Sequence, residues 1–224
     1  MSRIIVIILV SLLGFSGFVK SHANAQEIDT QQEMLNRAQQ GDALAQFNLG
    51  IMHDNGEGVP QDHKKAFYWY EKSARQGQAK AQFNLGFMYY KGQSVPQDYK
   101  QSFYWLEKSA QQGDAKAQFL LGFMYYKGQG VPQDSKQCFY WLEKSAQQGD
   151  ASAQFMLGRM YGTGKGIPQD YKLAYAWLNV ASAQGYEKAK KARDSVAEAL
   201  TSAALAEAQT LSNEYYKKYS VKGK

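Results

Sequence analysis

Residues 77–112 read GQAKAQFNLGFMYYKGQSVPQDYKQSFYWLEKSAQQ, and residues 113–148 repeat them with five changes: Gln78/Asp114, Asn84/Leu120, Ser94/Gly130, Tyr99/Ser135 and Ser102/Cys138. Outward from this pair, the same 36-residue phrase fills 41–76 and 149–184. Gly41, Gly77, Gly113 and Gly149 open the four copies, and Trp69, Trp105, Trp141 and Trp177 recur at the same interval. So do Gly50, Gly86, Gly122 and Gly158, then Pro60, Pro96, Pro132 and Pro168, then Asp62, Asp98, Asp134 and Asp170. A fixed period of roughly 20–50 residues marks a stacked array of small supersecondary units rather than a globular enzyme.

Within copy two, Ala81, Leu85, Met88 and Tyr89 fall on one helical face. Gly92 to Gln97 breaks that helix, since glycine ends helices readily and the residue before Pro96 avoids helical angles. Asp98 then suits an N-cap, its carboxylate accepting from the free N–H groups of the next helix. Ser102, Trp105, Leu106 and Ser109 mark the second apolar face, which Gly113 closes. Each copy therefore predicts helix–loop–helix, with a loop short enough to force the helices antiparallel. Gly86 sits inside the first helix, where glycine costs about 1 kcal/mol relative to alanine. Its presence in all four copies predicts a close approach of the paired helices, and the small Ala81 and Ala110 agree. Trp105 reads as a core ring beside small residues, in preference to a ligand-stacking one.

The ends of the array differ, as terminal units of a repeat stack must. Arg3, the apolar run from Ile4 to Val19, and Ala23-Asn24-Ala25 form the order of a secretory leader, with cleavage expected after Ala25. That run is short for a membrane span of roughly 20 residues and is broken by Ser11, Gly14, Ser16 and Gly17. No other segment is apolar enough to cross a bilayer. Thr30-Gln31-Gln32-Glu33 reads as a capping box for an N-terminal helix within 26–40. Beyond Gln184, Tyr186 to about Leu200 resembles a fifth first-half helix, with Ala189 at the small position. Thr201 or Ser202 then caps a last helix striped by Ala204, Leu205, Ala208 and Leu211. Ser220 to Lys224 is expected to fray, so residues 185–224 read as capping helices with a basic tail.

The full chain of 224 residues carries a formal net charge of +6. The expected mature chain keeps 24 basic and 20 acidic residues, net +4, mostly interspersed within each copy. Only Lys188, Lys190, Lys191, Arg193, Lys217, Lys218, Lys222 and Lys224 are clustered, and these could touch a cell wall or another anionic surface. Export argues against nucleic acid as partner. The single cysteine, Cys138, excludes a disulfide framework. Its counterparts Ala66, Ser102 and Ala174 are all small, so it reads as a buried thiol in a small-residue slot.

These residues resemble the Sel1-like repeat family, the α/α solenoids related to tetratricopeptide repeats. The likeness lies in Leu85-Gly86, in Tyr89 with Gly92, in the loop from Gly128 to Asp134, and in Trp141 with Ala146. It covers about residues 41–184. Four residues depart: His53 stands for a tyrosine, Ser94 for a loop glycine, and Asn179-Val180 for a Glu-Lys pair. The resemblance implies an all-α fold, a right-handed superhelical solenoid of four hairpins with capping helices at both ends. It also implies that first helices line a concave surface that binds another protein or a peptide. Exported bacterial members of the family look like adaptors in envelope assembly, signalling or host contact.

Positions that vary between copies on a non-core face are the natural recognition candidates. The series Ile51, Phe87, Phe123, Arg159 and the series Asp54, Tyr90, Tyr126, Gly162 lie opposite Leu85 and Met88. Aromatic side chains there can anchor a peptide or partner helix, or simply pack adjacent first helices side by side. The sequence leaves both open. Phe47, Phe83, Phe119 and Phe155 never vary and are assigned to structure.

Catalytic and cofactor chemistry finds no foothold, and neither metal nor cofactor is called for. His53-Asp54-Asn55 with Glu57 could hold a divalent ion only weakly and fills a helix-end turn. Gly162-Thr163-Gly164-Lys165-Gly166 lacks the spacing of a phosphate loop and follows a helix, not a strand. Cysteine-rich relatives described as β-lactamase-like make hydrolysis an alternative. However, no Ser-x-x-Lys occurs, and Glu71, Glu107 and Glu143 are each followed by lysine as solvated pairs rather than a carboxylate dyad. A cell-wall glycan binder would need the same concave aromatics as a protein binder.

Overall fold

Every loop inside a copy must satisfy the carbonyls left open at one helix end and the N–H groups at the next helix start. In copy two the first helix ends at Gly92, whose φ of 68° allows its N–H to reach Met88 O. Gln97 Nε2 donates to Tyr90 O at 2.8 Å, and the Asp98 N–H donates to Tyr89 O at 3.1 Å. Asp98 Oδ1 then accepts from the N–H groups of Lys100 and Gln101. Asp134 and Asp170 repeat the cap, as does Asp62. The backbone donors of Lys65 and Lys64 help hold the Asp62 carboxyl below its usual range. The constant Gln-Asp after each proline is therefore a two-residue clasp.

The computed structural model describes residues 31–220, and all its regular elements are helices. The expected leader 1–25, Thr30 of the capping box, and Lys222 and Lys224 lie outside the described residues. Packing divides the chain into two units, Met1–Ser73 and Ala74–Lys224.

In the first unit, residues 31–39 form α1, followed by α2 (Ala43–Asn55) and α3 (His63–Arg75), at whose last turn the division falls. Ala38, Ala45 and Leu49 make its core, with Met34, Leu35, Met52 and Trp69 packed around them. Trp69 is half-buried here, whereas its three later counterparts are buried. Ser73 Oγ donates to Ala43 O, tying α3 to the start of α2.

The second unit holds α4 (Ala79–Lys91), α5 (Tyr99–Gln111), α6 (Ala115–Lys127), α7 (Ser135–Gln147), α8 (Ala151–Thr163), α9 (Tyr171–Ala183), α10 (Glu187–Glu198) and α11 (Ser202–Tyr219). Helices pack in chain order, α4 on α5, α5 on α6 and onward to α9 on α10. That is the arrangement of an α/α solenoid. Of the expected core faces, Ala81, Leu85 and Met88 on α4 and Ser102, Trp105, Leu106 and Ser109 on α5 are buried, while Tyr89 at the edge of the α4 face is half-buried.

Gly86 marks the close approach its position implied. A Cβ there would stand 2.8 Å from Leu106 Cγ and 3.1 Å from Leu106 N. Ser94, the departure in the loop, takes φ 66°, close to the 73° of its counterpart Gly130. A side chain in that left-handed region costs of order 1 kcal/mol, and the surrounding clasp holds it there.

One constant residue was silent in the sequence pattern. Gln82, Gln118 and Gln154 are buried polar side chains. Each Nε2 donates to the last turn of the preceding helix, at Ala74 O, Ala110 O and Ala146 O. The Oε1 of Gln82, Gln118 and Gln154 accepts in turn from Gln112, Gln148 and Gln184. These amides close helix C-termini that would otherwise be buried with open carbonyls, and so stitch one hairpin to the next. Periodicity weighs apolar residues, so a buried polar one leaves no trace in it.

The C-terminal helices explain the departures of copy four. Asn179 Nδ2 donates to Ser212 Oγ at 2.7 Å, and Arg193 Nη1 donates to Asn179 Oδ1 at 2.9 Å. Val180 is fully buried. The pair that is Glu-Lys elsewhere is here a socket for α10 and α11. Ala189 on α10 is buried at the small position, as a fifth first helix requires. Thr201 caps α11, which runs along α9 and reaches α7 rather than pairing with α10. Tyr219 stacks on Trp177 with ring centroids 5.3 Å apart, and the tilted ring of Tyr215 packs on it at 4.8 Å.

Candidate functional site

Helical spacing puts Phe119, Phe123 and Tyr126 on one side of α6, and Phe155 and Arg159 on the matching side of α8. Where α6 carries Phe123 and Tyr126, α8 carries Arg159 and Gly162. Phe123 and Tyr126 thus lack aromatic counterparts, and a groove of about 390 Å³ opens between the two helices. Phe119, Phe123, Tyr126, Phe155 and Met156 line it, together with Tyr186 at the N-terminus of α10. Two sets of contacting rings make its floor: Phe119 to Phe123 at 6.5 Å and Phe123 to Tyr126 at 6.4 Å on α6, and Phe155 to Tyr186 at 5.0 Å. Phe119, Tyr126 and Met156 also pack on the cluster around Cys138 and Leu157, so the floor is continuous with the core.

The charged groups on this groove are Lys127, Arg159 and Lys165, with no carboxylate among its lining residues. Lys127 Nζ lies 5.7 Å from the centre of Phe123 and 5.5 Å from Tyr126. Lys165 Nζ is 4.8 Å from Tyr126, and Arg159 is 5.8 Å from Phe155. Cations over ring faces at exposed sites gain roughly 0.5–1 kcal/mol, which leaves them free to turn toward a ligand.

The sequence candidates divide accordingly. Phe123, Tyr126 and Arg159 share the groove. Phe87 is exposed, stacked on Phe83 at 6.0 Å, with Lys91 above it. Tyr90 serves packing: it sits edge-on to Tyr99 at 5.5 Å and donates to Gln129 Oε1 in the next copy. Ile51 and Asp54 lie in the first unit. Asp54 is committed to His63 Nδ1 at 2.8 Å and the Tyr70 hydroxyl at 3.3 Å. Asn55 Nδ2 donates to Glu57, and among the described residues no group of three or more metal-ligating side chains occurs.

Sequence reasoning missed Phe119, Phe155 and Tyr186. The invariant phenylalanines were assigned to structure alone, yet they both pack and line the groove, because residues four apart on a helix share a face. Tyr186 lies just beyond the glycine-to-glycine copies and has no aromatic counterpart at Gln78, Asp114 or Asp150, so periodicity gave no signal for it. A second cavity of about 430 Å³ lies in the first unit, lined by Leu35, Leu49, Met52, His53 and Trp69.

Cys138 fills its small-residue slot as expected, fully buried, with Sγ 3.8 Å from Met160 Sδ. Burial pushes its thiol up to about 12, so it is not a nucleophile at neutral pH. In the basic C-terminal cluster, Arg193 is held by Asn179 and Asp194.

Comparison with known proteins agrees with this architecture. The Sel1 repeat model matches residues 43–78, 79–114, 115–150 and 151–186, the same period two residues out of phase with the glycine-to-glycine division. A protective antigen present in uropathogenic Escherichia coli strains, displaying an SLR fold, is 35% identical, with a TM-score of 0.79. The match covers 86% of this chain but only 42% of the antigen. A Sel1 repeat protein from Oxalobacter formigenes is 30% identical over 84% of this chain and 78% of its own, with a TM-score of 0.69. Among curated proteins nothing matches. With four contiguous repeats matched in register over 43–186, the chain belongs to the Sel1 repeat family.

Proposed function

We propose that this Sel1 repeat protein is an adaptor that holds an apolar segment of a partner protein in the groove between α6 and α8. Sel1 repeats serve generally as protein-interaction scaffolds, and the aromatic-lined groove supports that reading for this chain. The observation that carries it is the groove of about 390 Å³ lined by the rings of Phe119, Phe123, Tyr126, Phe155 and Tyr186. That size suits a few side chains of a peptide or helix. The leader-like residues from Arg3 to Ala25 support an adaptor working in the bacterial envelope or outside the cell. A photocrosslinking residue at Tyr126 is expected to capture a defined partner, and Phe155→Ala is expected to abolish that capture. The same probe at Tyr216 on α11 should capture nothing comparable. Equal capture from both positions, or capture indifferent to Phe155→Ala, would remove the groove from the account. N-terminal sequencing of the protein recovered from periplasm or medium should begin at Gln26; an intact Met1 in the cytosol would overturn the exported setting.

A further inference from the structure

We infer that the groove selects partner segments in which bulky apolar anchors are flanked by carboxylates. This rests on the proposal that the groove holds a protein segment, and it adds the chemistry of that segment. The floor is aromatic and the rim carries a single sign of charge. Lys127, Arg159 and Lys165 all stand exposed around Phe123, Tyr126 and Phe155. None of the three cations is ion-paired to a carboxylate among the described residues; each instead lies over a ring. Elsewhere on this unit exposed charges do find partners, as Lys172 does with Glu207 at 2.9 Å. A cluster of one sign raises the local concentration of opposite charge and penalises like charge. An apolar segment flanked by lysines would bring positive charge against three cations. One flanked by aspartates or glutamates would complete three pairs while its apolar side chains cover the rings.

The test uses the full chain and fluorescein-labelled, C-terminally amidated peptides followed by anisotropy. The acidic probe is DEWLEFDE, the neutral one SSWLSFSS and the basic one KKWLKFKK; polyglutamate supplies charge without anchors. The acidic probe is expected to bind best, to weaken as salt rises from about 0.05 to 0.3 M, and to be lost in Phe123→Ala. Lys127→Glu, Arg159→Glu and Lys165→Glu should each weaken it by about fivefold, and the triple variant by roughly 100-fold, the scale of exposed ion pairs. All three side chains are exposed, so the circular dichroism melt should stay in place. Lys91→Glu, on a rim outside the groove, should leave binding unchanged. If the neutral or basic probe binds as tightly, and Phe123→Ala abolishes that binding, the groove still holds peptides but the charge preference is wrong. Polyglutamate binding as tightly as the acidic probe, or displacement of that probe by lower concentrations of soluble muropeptides, would also overturn it. Absence of binding by every probe up to about 1 mM would overturn both this inference and the groove proposal beneath it.

Discussion

Two glycines one turn apart on α8 offer a test of the helix contact with its own control. A Cβ at Gly158 would stand 2.6 Å from Leu178 Cγ, 3.0 Å from Leu178 Cδ2 and 3.1 Å from Ala174 O. Carbon pairs settle at about 3.5–4.0 Å, so Leu178 or the whole of α9 must yield by about an ångström. Leu178 is only 1% exposed and has nowhere open to turn. Overpacking of this kind costs about 1–3 kcal/mol, against which alanine in a helix returns about 1 kcal/mol over glycine. Gly158→Ala is thus expected to lose about 0–2 kcal/mol. Gly158→Val, with two further methyls and a stiff side chain, should lose about 3 kcal/mol. For a chain of this size about 1 kcal/mol moves Tm by roughly 2–4 °C, so valine should lower it by roughly 6–12 °C. At Gly162 the nearest atoms would be Ala174 Cβ at 3.6 Å and Val196 Cγ2 at 3.8 Å, ordinary contacts. Gly162→Ala should therefore raise Tm by roughly 2–4 °C through helix propensity alone. Thermal melts followed at 222 nm decide the matter. If alanine stabilises equally at 158 and 162, α8 and α9 do not approach as described, and steric closeness is the wrong explanation for the repeated glycine.

Further outcomes follow from the packing around Cys138 and Ala176. The Cys138 thiol, fully buried and raised to about 12, should resist Ellman's reagent at pH 8 in the folded protein and react completely in guanidinium; fast reaction of the native protein would refute its burial. Because its folded pKa lies above its ordinary value of 9.0, the neutral thiol's contribution is intact below pH 9. It is lost progressively between pH 9 and about 12, which a pH series of urea melts should show as falling stability over that window. Ala176 is fully buried, whereas its counterparts Tyr104 and Tyr140 are 48% and 46% exposed; α11, lying along α9, is what the earlier copies lack. Ala176→Tyr should displace α11, red-shifting Trp177 emission and opening the 199–201 link to protease, while Tyr140→Ala should change stability by less than about 0.5 kcal/mol. An unaltered Trp177 spectrum in Ala176→Tyr would refute that account of the substitution.

Much of the hairpin was legible because its determinants are local. A proline fixes one backbone angle, an aspartate just after it caps the next helix, and apolar residues at helical spacing define a face. Repetition then supplied four readings of each position, which is how Gly86 and Ser102 declared themselves as packing residues and Cys138 as a tenant of a small slot. The N-caps of the first helices, Asp42, Asp114 and Asp150, were equally local but went unread, since Gln78 at the same place in copy two hid the pattern.

What the amino-acid order determined by itself was the unit and its count: helix, clasp, helix, four times, with a fifth first helix marked by Ala189. What only tertiary structure decided depends on neighbours distant in the chain. The course of α11 along α9 follows from Asn179, Val180 and Ala176 receiving it, and no periodicity within α11 points there. The division of the candidate aromatics is of the same kind. Tyr90 and Tyr126 occupy one position in successive copies, yet Tyr90 spends its hydroxyl on Gln129 while Tyr126 lines the groove beneath Lys165, because α8 presents Arg159 and Gly162 where α6 presents rings. A repeat sequence specifies each contact a hairpin makes with an identical neighbour; where the neighbours cease to be identical, packing rather than pattern sets which surface stays open.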